Sequence, residues 1–396
     1  MPVTYVSKIL NNLQLTKNIK LKNLALLFKE TYVFSMELFD KINCIDLFCG
    51  AGGLTRGLLN SGINVVAGYD IDTDCAFPYE KNNSAKFIKK DIGTLNGNDL
   101  RQHLIGLNGP TLLAGCAPCQ PFSTYSQRYE TVGSEKWALL HQFARLISEL
   151  KPDFVAMENV PQVVKHSVFQ DFESTLVTLG YRFASEKVNC KDYGLPQGRK
   201  RAVLVASLHG NIELNRPTSD AEITVREAIS KLPKIDAGVA NTIDPLHVAP
   251  SLSDRNIKRI KASKPGGTWR DWPKELIASC HDKPSGKTYS SVYGRMEWDK
   301  PSPSLTTQFY GFGNGRYGHP EQDRAISLRE GAILQGFPDD YQFTKNAKDI
   351  NFNKLGRLIG NAVPVRLGEV IGSTLVEHLK VIKTTGQKRT DDIAAE

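Results

Sequence analysis

Residues 42–62 read INCIDLFCGAGGLTRGLLNSG, and this stretch is the strongest indication of the fold class. An apolar run is followed by a glycine-rich turn at Gly50, Gly52 and Gly53, and leucines recur at helical spacing after the turn. This order predicts a strand, a tight turn and an amphipathic helix. Glycines let the backbone approach a ligand, and the first turn of a helix offers unpaired N–H groups. The stretch is typical of a nucleotide-binding turn in an α/β sheet.

A glycine-rich stretch alone more often marks a plain tight turn, but the elements that follow favour a cofactor site. NVVAGYD (64–70) predicts a second strand that ends at Asp70, about twenty residues after the turn, where a carboxylate can bind ribose hydroxyls. A further short element ends at Asp91 and Ile92, which we place against an adenine edge. The G-A-G-G spacing differs from the dinucleotide pattern G-x-G-x-x-G, which favours an adenosyl ligand over a nicotinamide one.

Two later apolar runs each lead to a residue with catalytic chemistry. LLAGCAPCQPFS (112–123) places Cys119 in a loop with two prolines, and DFVAMENV (153–160) contains Glu158 near its end. Because parallel strands end at the same edge of a sheet, we expect both side chains there. A thiolate can attack an electron-poor ring, and a buried glutamic acid can deliver a proton at neutral pH. The pair indicates covalent catalysis on a ring that needs protonation.

Cys116 and Cys119 also form a C-x-x-C pair, which in other proteins marks a redox site or half of a zinc site. The chain has seven cysteines, the others lie singly, and no second C-x-x-C or H-x-H pair is present. A zinc ion would need ligands from distant segments, so we predict no metal site and assign Cys116 to packing. The odd number of cysteines without a secretory signal leads us to expect a reducing, cytoplasmic location.

In the order of its motifs the chain resembles the DNA (cytosine-5) methyltransferases of bacterial restriction-modification systems. The resemblance covers most of residues 42–375. In chain order the motifs that carry it are DLFCGAGG (46–53), PCQPFS (118–123), ENV (158–160), the Q-x-R-x-R segment YGLPQGRKRAVLVA (193–206), REGAILQGFPDDY (329–341) and IGNAVPV (359–365). Two departures concern the cofactor: Asp70 stands where many relatives carry Glu, and Ile71 where some carry Trp.

The resemblance implies an α/β fold, with a Rossmann-like class I methyltransferase domain and a smaller, irregular target-recognition domain. It implies methyl transfer from S-adenosyl-L-methionine to C5 of a cytosine that is flipped out of a specific duplex DNA sequence. The catalytic residues that it implies are Cys119 attacking C6, Glu158 protonating N3, Arg201 holding the ring carbonyl, and Arg199 and Gln197 of the same motif. The cofactor-binding residues that it implies are Phe48, Gly50, Ala51, Gly52, Gly53, Asp70, Ile71, Asp91, Ile92, Pro118, Asn361 and Val363.

Charge supports a nucleic-acid partner. Fifty Lys plus Arg against forty-two Asp plus Glu give a net charge of +8, a modest field that attracts polyanions. The stretch from Arg255 to Arg270 holds six basic residues and no acid, which fits either a solvated basic helix or a DNA-binding segment. Its place before the motif at 329–341 favours DNA. The predicted DNA contacts are Ser123, Ser126, Arg128, Arg255, Lys258, Arg259, Lys261, Trp269 and Arg270.

We predict a discontinuous catalytic domain. The predicted segments are an N-terminal helical extension (1–41), the first part of the catalytic domain (42–207), a target-recognition domain (208–325), the C-terminal part of the catalytic domain (326–382) and a tail (383–396). The stretch 355–379 is expected to pack beside the first motif and to bring Asn361 to the cofactor. No apolar run is long enough to span a membrane, and we expect a monomer without a stable endonuclease complex.

Two other functions stay open. A transfer-RNA cytosine-5 methyltransferase would share the chemistry, but the long basic segment at 208–325 is large enough to read a duplex site and counts against it. A non-catalytic DNA-binding regulator would share the fold, but the presence of Cys119, Glu158 and Arg201 counts against that alternative.

Overall fold

The computed structural model describes residues 41–118, 138–217 and 221–395. The predictions that lie outside these ranges are the N-terminal extension up to residue 40, the nucleophile Cys119 and the loop contacts Ser123, Ser126 and Arg128.

A seven-stranded sheet organises the structure. The strand bounds are β1 Asn43–Leu47, β2 Asn64–Asp70, β3 Lys86–Lys89, β4 Thr111–Gly115, β5 Phe154–Asn159, β6 Arg182–Asn189, β7 Gln197–Gly198, β8 Lys200–Ser207 and β9 Ser302–Pro303. The sheet has the order β3-β2-β1-β4-β5-β8-β6, and β7 pairs separately with β9. Neighbours among β1 to β5 pair in parallel, whereas β8 lies antiparallel between β5 and β6. The carboxyl ends of β1 to β5 and the amino end of β8 therefore lie at one edge.

The helices alternate with the strands in the first half of the chain and cluster again near its end. Their bounds are α1 Gly53–Asn60, α2 Ala76–Asn82, α3 Gly97–Arg101, α4 Ala138–Leu150, α5 Ser167–Thr178, α6 Val225–Ile229, α7 Asp254–Ala262, α8 Pro284–Lys287, α9 Leu328–Leu334, α10 Phe352–Asn361 and α11 Val365–Ala395. Helical backbone thus continues through residues 383–395 of the predicted tail. Across the described ranges, no helix is both long and apolar enough to cross a membrane.

Alternate residues of the strands enter two hydrophobic cores, because successive side chains of a strand point to opposite faces. On one face Leu113 and Met157 pack with α4 and α5. On the other face Ala114 and Ala156 pack with α1 and α11. Both faces of the sheet are covered, which is why the central strands read as continuous apolar runs.

Glycines let α1 and the C-terminal segment meet backbone to backbone. A Cβ at Gly53 would lie 2.1 Å from the carbonyl oxygen of Val363, and one at Gly57 would lie 2.3 Å from that of Val365. The predicted return of residues 355–379 to the first motif is therefore confirmed, and the close approach gives these glycines a packing reason.

A smaller cluster lies within the predicted target-recognition segment and is separate from the sheet cores. Its buried members are Ile260, Trp269, Trp272, Phe312 and Ala325. The surrounding chain consists of short helices, turns and isolated bridges. Residues 42–396 form one compact unit, so the boundaries of the target-recognition domain stay a prediction.

Candidate active site

A cleft of about 2560 Å³ opens at the edge where β1 to β5 end. One wall consists of the loops after these strands, and residues 304–314 and 351–363 contribute the other. The cleft brings together most of the predicted cofactor residues, namely Phe48, Gly50, Ala51, Asp70, Ile71, Asp91, Ile92, Pro118, Asn361 and Val363. Gly52 and Gly53 are not among its lining residues and instead pack against neighbouring segments.

The turn after β1 combines unusual backbone with a fixed carboxylate. Phe48 has a φ of 57°, a left-handed conformation that side chains rarely adopt and that occurs at ligand-binding turns. Gly50 donates its N–H to Asp70 Oδ2 at 2.9 Å, and Asp72 donates its N–H to Asp70 Oδ1 at 2.9 Å. Burial raises the pKa of Asp70, and these N–H bonds oppose the rise. Asp70 thus ties the ends of two strands to each other at the cleft.

Asp46 is a cleft residue that the sequence analysis did not assign. The side chain is buried, and its Oδ2 accepts a hydrogen bond from the Thr55 hydroxyl at 2.7 Å. Its Oδ1 is buried and has no hydrogen-bond partner among the described residues. Burial raises the pKa of Asp46 to about 7, against the hydrogen bond from Thr55, with a smaller rise from the nearby Asp70 charge. An unsatisfied buried acceptor suits a ligand that brings a positive charge or a donor.

Glu158 and Arg201 meet at the end of β5. Glu158 stands opposite Val203 of β8, and Arg201 lies two residues earlier on β8, so both side chains extend from the same sheet face. Arg201 Nε lies 2.7 Å from Glu158 Oε1, and the side chain of Glu158 is 2% exposed. The structure therefore brings two of the predicted catalytic residues into close contact, and Glu158 Oε1 keeps no hydrogen-bond partner among the described residues.

The thiol of Cys116 contacts the other oxygen of the same carboxyl group. Cys116 Sγ donates to Glu158 Oε2 at 2.8 Å. Cys116 also packs against the core on that face. The predicted packing role therefore describes only one of its contacts and leaves out the hydrogen bond to Glu158. Its spacing from Cys119 drew attention to metals and redox pairs, and no pattern in the sequence marks its contact with Glu158.

Gln197 and Arg199 bind backbone groups of other segments. Gln197 is fully buried and does not line the cleft; its amide donates to Leu334 O and accepts from Leu305 N, both at 3.0 Å. Arg199 donates to Leu305 O at 2.8 Å and to Gly360 O at 2.9 Å. These bonds hold the opposite wall of the cleft, and they favour a positioning role over the predicted catalytic one for both residues.

Polar side chains from distant segments complete the cleft. Those that lie outside the quoted motifs include Thr306, Thr307, Gln308, Tyr310, Asn314, Asn351 and Asn353. Tyr310 donates its hydroxyl to Asn353, which links the two segments of this wall. Only the folded chain brings these segments to the strand ends, so spacing in the sequence could not have identified them.

The predicted DNA contacts divide into exposed and buried residues. Exposed positions are Arg255, Lys258, Lys261 and Arg270, of which the first three recur at every third residue of α7. Arg259 is buried, donates to Leu276 O at 2.8 Å and lies over the ring of Tyr293 at 5.2 Å. Trp269 is buried and donates to Tyr289 O at 2.8 Å. The predicted DNA contacts of Arg259 and Trp269 are therefore wrong, because both side chains build the small core.

Known proteins match this chain over most of its length. The family profile for the C-5 cytosine-specific DNA methylases matches residues 42–377. The chain is 50% identical over 341 residues to the Type II methylase M.HgiDII of Herpetosiphon aurantiacus, which covers 85% of this chain and 95% of that protein. It is 29% identical over 389 residues to the Type II methyltransferase M.Eco47II of Escherichia coli, covering 94% and 88% of the two chains. Among solved structures, a putative DNA modification methyltransferase encoded within an E. coli prophage has a TM-score of 0.66 at 23% identity, covering 86% of this chain and 100% of that chain.

Proposed function

The chain belongs to the C-5 cytosine-specific DNA methylase family, and from this membership we propose that the cleft at the strand ends receives a flipped cytosine and S-adenosyl-L-methionine. The protein is a DNA (cytosine-5) methyltransferase with a Rossmann-like class I methyltransferase fold. Members of this family generally use S-adenosyl-L-methionine as the methyl donor. The assignment of individual residues to cofactor, base and DNA is the content of the proposal.

The wall formed by the loops after β1 to β3 suits the cofactor. Asp70 would hold the ribose hydroxyls, Asp91 and Ile92 the adenine, and the backbone near Phe48 the methionine part. The unpartnered, buried Oδ1 of Asp46 supports this assignment, because the cofactor carries an ammonium group that can donate to it. When bound, S-adenosyl-L-methionine supplies an electrophilic methyl group.

The wall formed by β4, β5 and β8 suits the base. Cys119 follows the last described residue of the loop after β4, and we assign its thiolate to attack at C6, where an S–C bond forms and electrons move toward C5. Glu158 delivers a proton to N3, and Arg201 orients Glu158 and the ring carbonyl. After C5 is methylated, a base takes the C5 proton, Cys119 leaves as a thiolate, and N3 returns its proton to Glu158, which restores the aromatic ring. The buried Glu158–Arg201 pair beside this loop is the observation that carries the assignment.

The nucleophile is tested by Cys119→Ala. We expect the variant to lose methyl transfer to duplex DNA while it keeps measurable DNA binding, because the thiolate takes part in a covalent step. Transfer of a labelled methyl group measures the first property, and a filter-binding titration measures the second. Cys280→Ala, which removes an exposed thiol, serves as the control and should keep wild-type rates. Substantial turnover by Cys119→Ala would contradict the mechanism.

We further propose that the enzyme methylates one short duplex sequence and protects host DNA from a cognate restriction endonuclease. The names of the relatives, Type II methylase and Type II methyltransferase, support this role. Bisulfite sequencing of a host genome that expresses the protein should show 5-methylcytosine at one recurring sequence. Methylation of transfer RNA without methylation of the genome would instead support the transfer-RNA alternative.

A further inference from the structure

Both oxygens of the Glu158 carboxyl group have a close polar neighbour, one on β8 and one directly after β4. Arg201 Nε lies 2.7 Å from Oε1, and the Cys116 thiol donates to Oε2 at 2.8 Å. The last torsion of a glutamate side chain is broad and weakly restrained. Oε1 has no hydrogen-bond partner among the described residues, so the hydrogen bond from Cys116 to Oε2 is the contact that restrains the orientation of the carboxyl plane.

Strand register creates the Cys116 contact. Ala114 of β4 lies opposite Ala156 of β5 in a parallel pair, and two residues further on come Cys116 and Glu158, on the same face. Just beyond, the Asn159 amide donates to Ala117 O at 3.1 Å and fastens the two loops to each other. The thiol and the carboxyl group are thus held together by the backbone of two central strands.

We propose that Cys116 is a positioning residue for Glu158, whose S–H bond holds the acid in the orientation that meets the flipped cytosine. This inference rests on the proposed role of Glu158 in base activation. It gives the first cysteine of the C-x-x-C pair a task distinct from that of Cys119: it donates a hydrogen bond, whereas Cys119 attacks the ring.

The chemistry of the carboxyl group explains why a donor at this position would matter. As Glu158 passes its proton to N3, it becomes a carboxylate, which can only accept hydrogen bonds. The Cys116 thiol already donates to Oε2, and the Arg201 guanidinium already lies 2.7 Å from Oε1, so both stabilise the negative charge as it develops. Loss of the thiol should therefore slow methyl transfer more than it weakens binding of the cofactor.

Cys116→Ala and Cys116→Ser test the proposal in the full-length enzyme. We expect Cys116→Ala to lower kcat about tenfold, since one hydrogen bond to a charged group is lost, with KM for S-adenosyl-L-methionine within about twofold of wild type. Cys116→Ser keeps a donor and should recover kcat to within about threefold of wild type. Cys44→Ala is the matched control: it removes a buried thiol from the same core on β1 and should lower thermal stability without selectively lowering kcat.

Four results would overturn the proposal. Wild-type kcat in Cys116→Ala would show that the bond does not matter, and equal but partial losses of kcat in the Ala and Ser variants would assign the residue to packing. Abolished activity in both Cys116→Ala and Cys116→Ser, as in Cys119→Ala, would point to direct chemistry at Cys116. If Cys116→Ala fails to fold, Cys116→Ser is compared with Cys116→Val, which fills the space but cannot donate, and equal rates for these two would refute the role. Failure of the wild-type enzyme itself to methylate DNA would refute the proposed function instead.

Discussion

At the level of single residues, the proposed acid role of Glu158 depends on the groups around its carboxyl group. It is buried at a strand end and paired with Arg201. Glu158→Gln keeps the shape and hydrogen-bonding capacity but gives up the acidic proton, so we expect turnover to fall by about 10²- to 10⁴-fold. Single-turnover methyl transfer measures the effect. Glu275→Gln changes an exposed glutamate and should leave the rate unaltered, and unchanged turnover in Glu158→Gln would remove this residue from the site.

Asp70 lies in the part of the cleft that we assign to the cofactor. Asp70→Ala should raise KM for S-adenosyl-L-methionine with a smaller effect on kcat, because ribose contacts act alike in the ground and transition states. In the structure, the two oxygens of Asp70 also accept hydrogen bonds from the N–H groups of Gly50 and Asp72. Asp70→Asn keeps one acceptor oxygen and should therefore give an intermediate cofactor affinity in calorimetric titration. A loss of kcat at unchanged affinity would contradict this assignment.

At the scale of elements, the α1–α11 contact depends on glycine. Alanine at Gly57 would stabilise an isolated helix by about 1 kcal/mol. In the folded chain its Cβ would meet Val365 O at 2.3 Å and the backbone of Gly368 at 2.6 Å. Because backbone atoms cannot turn aside as side chains do, we expect Gly57→Ala to lower the free energy of unfolding by about 3 kcal/mol.

Chemical denaturation measures the Gly57→Ala effect. Gly198→Ala serves as the control, because its Cβ would meet its nearest neighbour, Ser302 O, only at an ordinary 3.7 Å. A Gly57→Ala variant that is as stable as the wild type would show that α1 and α11 are further apart than the structure has them.

At the level of the whole molecule, the exposed basic residues of α7 are the largest group of predicted DNA contacts that remain on the surface. Replacing Arg255, Lys258 and Lys261 by Gln should weaken binding to all duplex sequences and reduce the slope of log affinity against log salt by about three. Arg259→Gln is the contrasting variant: it breaks the small core and should lower the melting temperature. Unaltered affinity of the triple variant at every salt concentration would place the DNA on another surface.

Several features of this protein follow from residues close together in the sequence. The strand, turn and helix at 42–62 were predictable because apolar runs and glycines encode local conformation. The meeting of Glu158 with the loop after β4 was predictable because parallel strands end at one edge. The motifs also identified the family and most of the residues that line the wall of the cleft we assign to the cofactor.

Other features depend on partners that are far apart in the chain. Gln197 and Arg199 lie in the same motif as Arg201, yet they bind backbone groups more than a hundred residues away, while Arg201 alone of the three reaches Glu158. Arg259 sits among exposed basic residues but turns into the small core. Cys116 reads as half of a metal or redox pair and instead donates to Glu158. Residue type and spacing, which the sequence determines by itself, limit what each side chain can do. The partner that each side chain contacts is known only from the folded structure. Strand register and packing determine the face on which a side chain lies and the neighbour that it meets.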